Sequence, residues 1–339
     1  MRFISTDILD WTLSQFRLPI PCGFRALPKS ALKRDIMLKV EFKDGPSALV
    51  RFHDPLYYRH KDIECQTKFR SFIHSEGIPV ARLHTTADGA LYLDVEIKDE
   101  IWPVTIEEWV AGEPPSAVSP TLVALMGRTL GRMHLAAPES GVSFSHGTRM
   151  SLFAEGDLYY SNAVNLWNVL DEAGLETGAE STLFNAWRRA REELREMWDS
   201  LPAGPVHGDF AEYNLLLDET EDIAAVIDFN RAGDERFVNE LVHTCLSLPS
   251  SGQDDHDRDN FHRFVSAYEG VRPLSQEEKR AIPLLITVVR PFRTREISPL
   301  LKALRSGDEK SALAGLRRLS RLADPSALVI QGIGATTQR

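Results

Sequence analysis

The chain is poor in cysteine: Cys22, Cys65 and Cys245 are the only three in 339 residues, and none falls in a CxxC pair or a Cys/His array. That pattern excludes a disulfide-stapled scaffold and a structural zinc site and favours reduced thiols. Long apolar runs are missing as well. No stretch approaches the length of a membrane span, and residues 1–7 (MRFISTD) lack a signal-peptide core, so a cytoplasmic protein with no membrane partner is expected. Positive charge is in deficit, with 39 Lys and Arg against 49 Asp and Glu and a formal net charge of −10. Nucleic acid is therefore not an expected partner, because binding it requires a basic footprint. There is no internal repeat or low-complexity segment, and only residues 332–339 read as a frayed end.

What is present is concentrated between residues 207 and 229, HGDFAEYNLLLDETEDIAAVIDF. Residues 215–217 and 224–227 are short apolar runs, and residues 218–222 (DETED) form a polar turn between them, so a β-hairpin is expected. Centred near Glu221, the hairpin pairs residue 217 with 225 and sets residue 214 opposite 228. Asn214 and Asp228 would then lie about 5 Å apart and share one ion. Oxygen-only donors of this kind suit Mg²⁺, which completes its octahedron with substrate phosphates and water. Asp209 precedes Asn214 on the loop entering the hairpin, where its carboxylate can take a proton from an incoming hydroxyl.

The segment resembles the core of the aminoglycoside phosphotransferase and choline kinase family, whose pattern is H-G-D, four residues, N, then a hairpin ending in I-D-F. The matching positions are His207, Gly208, Asp209, Asn214, Ile227, Asp228 and Phe229. The resemblance implies an α+β, bilobal protein-kinase-like fold, with a small antiparallel β-sheet lobe and a larger, mainly helical lobe. It also implies ATP and Mg²⁺ as cofactors, Asp209 as the catalytic residue that orients or deprotonates the acceptor hydroxyl, and Asn214 and Asp228 as metal ligands.

The rest of the chain follows the family in order. Strands are expected over residues 26–30, 35–42 and 47–52, with a turn at Asp44, Gly45 and Pro46, then a helix over 61–75 and strands over 91–97 and 103–109. Residues 107–112 fall where the family has its hinge, so Glu107 and Trp109 are expected at the nucleotide. The expected division is a small nucleotide-binding lobe over residues 1–112 and a large helical lobe over 113–339. In the latter, residues 122–134, 183–198, 261–268 and 277–292 read as amphipathic helices. His134, at a helix end, reads as a packing residue. Glu240 stands where the family has an aspartate and reads as a buried acceptor beside the catalytic loop.

Two positions depart from the kinase pattern. Arg51 stands on the third strand in place of the phosphate-pairing lysine, and Gln66 in place of the helix glutamate that holds it. Arginine keeps the charge and grips phosphate bidentately, although its fork is longer and planar. Residues 29–34 (KSALKR) contain no glycine, so no backbone phosphate cradle is expected there; Lys33 and Arg34 would supply charge instead. The run at 254–259 (DDHDRD) is not a calcium loop: counting from Asp255, the sixth position is Asn260 and the twelfth Ser266, so a solvated loop is expected. Tyr159, Tyr160 and Asn162 are candidate acceptor contacts, with a surface turn as the competing explanation.

The expected function is ATP- and Mg-dependent transfer of the γ-phosphate to a hydroxyl of a small molecule such as an antibiotic, amino alcohol or metabolite. Two alternatives stand beside it. Residues 50–55 (VRFHDP) and 78–81 (IPVA) are similar to bacterial stress-response kinase A, which implies a serine/threonine protein kinase; homoserine kinases share comparable features. Arg51 and Gln66 allow a nucleotide-binding pseudokinase.

Overall fold

The computed structural model describes residues 4–28, 35–174, 178–249 and 254–328. Contacts divide the chain into two units. The first comprises Met1–Ser116, Ala136–Ser145 and Tyr213–Asn230; the second comprises Ala117–Leu135, His146–Glu212 and Arg231–Arg339.

The first unit begins with helix α1 (Thr6–Gln15), whose N-cap Ser5 accepts from the Ile8 N–H. Strands β1 (Gly23–Ala26), β2 (Ile36–Glu41) and β3 (Ala48–Phe52) follow, then helix α2 (His60–Ser75) and strands β4 (Leu93–Ile97) and β5 (Glu100–Glu108). The sheet is antiparallel throughout, in the order β1-β2-β3-β5-β4.

Period-two alternation gives its central strands two different faces. Leu38, Val40, Val50, Phe52, Val104 and Ile106 are buried and pack with Leu9, Leu13 and Phe16 of the α1 region. Each such side chain contributes roughly 1.5–3 kcal/mol of burial. The opposite face carries Met37 beside Arg51 and Arg51 beside Thr105, with Leu49 beside Glu107. Polar groups on that face need a different partner from a hydrophobic core.

A two-stranded hairpin, β7 (Leu215–Leu217) with β8 (Ile223–Val226), completes the first unit. It is tied in by a bridge from Val80 to Val226 and one from Glu113 to Leu217. Gly112, at φ +152°, permits the second: a Cβ there would lie 2.7 Å from the Leu217 carbonyl oxygen.

The second unit is mainly helical: α3 (Pro120–Ala136), α4 (Leu158–Glu172), α5 (Ala179–Met197), α6 (Phe237–Ser247), α7 (Asp254–Glu269), α8 (Gln276–Val289), α9 (Thr294–Ser306) and α10 (Glu309–Leu322). A small antiparallel pair, β6 (Ala203–Val206) with β9 (Gly233–Arg236), lies among them. Helix α5 packs on α8, burying Leu183, Phe184, Trp187 and Leu194 from one helix and Ile282, Leu285, Ile286 and Val289 from the other.

Two local expectations are corrected. Residues 254–259 are not a loop but the first turns of α7. Downstream Phe261, Phe264, Val265 and Tyr268 form a buried i, i+3, i+4, i+7 stripe that sets the helical period. Residues 159–162 likewise belong to α4 rather than a turn: the Asp157 carboxylate caps the Tyr159 and Tyr160 N–H groups, and Tyr159, Ala163, Leu166 and Leu170 form the buried face. Tyr159 meets His243 at 3.1 Å, and Asn162 donates to the Phe292 carbonyl at 2.8 Å.

Candidate active site

The loop after β6 is built on a glycine that nothing can replace. Gly208 sits at φ +78°, and a Cβ there would fall 1.9 Å from the Arg231 carbonyl oxygen. Its N–H donates to Glu240 Oε1 at 2.5 Å. Glu240 is wholly buried on α6, and its other oxygen lies 2.8 Å from His134 Nε2, while His134 Nδ1 lies 2.8 Å from the Tyr268 hydroxyl. Burial lowers the His134 pKa, so the ring is neutral at pH 7. The two partners then assign the tautomer: Nε2–H donates to Glu240, and Nδ1 accepts from Tyr268. Arg272 donates to the same Tyr268 hydroxyl at 3.2 Å and pairs with Glu278 at 2.9 Å.

His134 is thus a packing and hydrogen-bonding residue, and Glu240 is the buried acceptor of the loop. Asp209 follows Gly208 immediately. It is partly exposed, and its Oδ1 lies 3.3 Å from Arg231 Nη1.

Asn214 and Asp228 lie on the hairpin of the first unit, in a register one step from that expected. Leu215 pairs with Val226, Leu216 with Ala225 and Leu217 with Ile223, with an irregularity between Leu216 and Leu217. The Ile227 N–H donates to the Asn214 carbonyl at 2.9 Å. Asn214 therefore stands opposite Ile227, not Asp228. The cause is a tighter turn: the Asp218 carboxylate accepts from the Thr220 and Asp222 N–H groups, and Glu221 takes φ +63°. Asp228 itself lies at φ +63°, in the left-handed region that Asp tolerates better than most residues.

Both residues line one cavity of about 690 Å³, together with the polar face of the sheet and one face of α2. That volume is of the size that takes a small organic ligand. Arg51 projects into it from β3. Its Nη1 donates to Asn230 Oδ1 at 3.0 Å and lies 3.9 Å from Asp228 Oδ1, and Asn230 Nδ2 also donates to Asp228. Gln66 is buried and lines the same cavity. Glu107 and Trp109 line it too: Glu107 is ion-paired with Arg70 of α2, and the Lys39 ammonium sits 4.9 Å from the Trp109 ring. Lys33 and Arg34 lie outside the described residues.

Arg70 and Asn230 are the residues that sequence reading passed over. Arg70 is one helical turn beyond Gln66, so the same face of α2 presents both. Burial, with Arg51 nearby, pulls the Arg70 pKa down to about 9, still protonated at neutral pH.

The donor set suits a hard cation that keeps most of its shell for other ligands. Asn214 and Asp228 offer oxygen alone, and among the described residues no group of three His, Cys, Asp or Glu could hold a metal by itself. That is the arrangement Mg²⁺ prefers when substrate phosphates complete its shell.

Residues 37–274 match the phosphotransferase enzyme family, APH. A homoserine kinase of Caulobacter vibrioides (strain NA1000 / CB15N) is 24% identical over 314 residues, covering 86% of this chain and 88% of the relative. Among solved structures, an amicoumacin kinase in complex with AMP-PNP, Ca²⁺ and Ami superposes with a TM-score of 0.61 at 14% identity, covering 96% of this chain and 95% of that one. A microcompartment-associated aminopropanol kinase gives 0.62 at 17% identity, covering 94% and 95%. These likenesses show the α+β kinase-like fold, with its five-stranded antiparallel sheet and its helical part. No helix among the described residues is long and apolar enough to cross a membrane.

Proposed function

We propose, for a chain that belongs to the phosphotransferase enzyme family, that it moves the γ-phosphate of ATP to the hydroxyl of a small molecule. The observation that carries this reading is the convergence of Asn214, Asp228 and Arg51 on one cavity. When bound, Mg²⁺ neutralises phosphate charge there. Asn214 and Asp228 are the residues that would hold it, and Arg51 would brace the phosphates with a planar, always-charged fork.

Asp209 takes the acceptor. Its carboxylate orients the hydroxyl and receives the proton as the new O–P bond forms, while the bond from the γ-phosphorus to the β,γ-bridging oxygen breaks and ADP leaves with that electron pair. The protein's share of the work is positioning and charge. Relatives whose names specify homoserine and aminopropanol point to short amino alcohols as the first acceptor class to try.

The test is ADP release over a panel of amino alcohols and hydroxylated amino acids, with Asp209→Asn as control. Acceptor-dependent turnover absent from the variant supports the assignment. An equal rate in variant and wild type, or none with any acceptor, overturns it. Calorimetry with Mg·ATP, in wild type and Asp228→Ala, separates the donor site from the acceptor: binding should be lost in the variant.

A further inference from the structure

The polar face of the first unit carries more positive charge than the phosphate-binding role of Arg51 requires. In the kinase pattern the helix beside the third strand supplies an anion, which holds the strand's cation. Here that helix supplies neutral Gln66 and, one turn on, a second guanidinium, Arg70. Both arginines line the same cavity, and both side chains are largely buried, at 18% and 13% relative exposure.

Each has an incomplete set of partners. The Nε–H of Arg51 and the Nε–H of Arg70 are buried, with no hydrogen-bond acceptor among the described residues. A buried donor left unmade is costly, and two like charges in one low-dielectric pocket add to that cost. The carboxylates that offset them are Asp228, 3.9 Å from Arg51, and Glu107, paired with Arg70. Formally the four groups cancel, two positive against two negative. If Asp228 turns to a metal ion, as the proposed function requires, Arg51 loses its internal counter-charge while both Nε–H donors stay open. A polyanion lying across the two guanidiniums would satisfy both deficits at once.

We propose that Arg70 is a second phosphate-binding residue of the donor site, acting with Arg51 as a two-arginine clamp on the nucleotide's phosphates. The inference rests on the donor reading above and adds to it a residue and a cause. Arg70 takes over charge that a strand lysine paired to a helix glutamate would not supply, and the Phe229 ring, 5.6 Å from its guanidinium carbon, helps to hold it in place.

The experiment compares ADP with adenosine, each with Mg²⁺, by calorimetry on the full chain. Removing Arg70 alone would strand Glu107 in a buried site, so the informative variant is the double Arg70→Met/Glu107→Gln, which removes both charges and keeps the bulk; its thermal melt checks folding. Because Glu107 lines the same cavity, the reference is Glu107→Gln alone: against it the double should lower ADP affinity by about tenfold or more, as for a lost charge-assisted contact, and adenosine affinity by less than about twofold. Arg70→Lys should recover part of the loss. ADP affinity within about twofold of that of Glu107→Gln, or equal further losses for ADP and adenosine, would overturn the clamp. Failure of wild type to bind ADP at all would instead overturn the donor reading itself, which keeps the two failures apart.

Discussion

Two parts of the molecule use buried charge in opposite ways. Around Gly208 every partner is internal: Glu240 takes the loop N–H and the His134 ring, His134 takes the Tyr268 hydroxyl, and Arg272 with Glu278 closes the chain of contacts. Around Arg51 and Arg70 the partners among the described residues are incomplete, and two guanidinium N–H groups are left over. The first arrangement is what stability selects, because a satisfied polar network is rigid and an unsatisfied one is costly. The second persists where a ligand completes it. The difference teaches where to look for binding: not at the best-connected charges but at the unfinished ones.

The comparison can be broken most severely at Asp209, which follows the satisfied loop but is partly exposed itself. Asp209→Asn should lower kcat by about 10²–10⁴-fold, the range for losing a positioned proton acceptor, and leave the urea midpoint near wild type. A matched loss of stability would show that Asp209 belongs to the scaffold instead.

Breaking the network should have the converse signature. Glu240→Ala leaves the Gly208 N–H and His134 without their acceptor, and Gly208→Ala drives a Cβ into the Arg231 carbonyl. Each should cost about 3 kcal/mol in equilibrium unfolding. A cost below about 1 kcal/mol in both would mean that the loop is held by something else.

Acid should act on the same side of the comparison. Burial lowers the His134 pKa, and burial together with Arg293 pushes His243 down to about 3, from an ordinary 6.5. The unfolded chain therefore binds protons that the folded chain does not. The stability these two rings contribute is present at pH 7.5 and is lost as pH falls through 6.5; for His243 the loss reaches about 2 kcal/mol at pH 5. Urea midpoints at pH 7.5 and 5 measure it; His243→Asn, if it folds, should flatten the slope. The smallest stability effect is expected on the unfinished side. Arg51→Met removes one of two repelling guanidiniums and leaves Asp228, 37% exposed, to solvent, so it should change stability by no more than about 1 kcal/mol, even while it weakens nucleotide binding. A large destabilisation by that variant would mark Arg51 as structural.

Much of this was legible in the chain itself. Seven spaced positions from His207 to Phe229 pointed to the phosphotransferase family, and residues 37–274 match it. Short-range rules also located the small sheet and α2 to within a few residues, since alternation and helical period are local properties. The hairpin register was not legible. A symmetric turn centred on Glu221 is the simplest reading of DETED, but the Asp218 carboxylate gathers the turn's N–H groups and shifts the pairing. The acidic run at 254–259 also misled, because charge argued for solvent while the stripe from Phe261 to Tyr268 continued the helix back through it.

Asp209, Asn214 and Asp228 could be proposed from sequence because their chemistry is carried by residue type and by spacing along one short segment. The family and the α+β class were determined at that level. Which cations share a cavity wall was decided only in three dimensions. Arg51 on β3, Arg70 on α2, Glu107 on β5 and Asn230 after the hairpin are far apart in the chain, and no local period relates them. Tertiary packing sets their distances. Burial then turns those distances into energy, because a guanidinium matters by the partners it finds once water is removed.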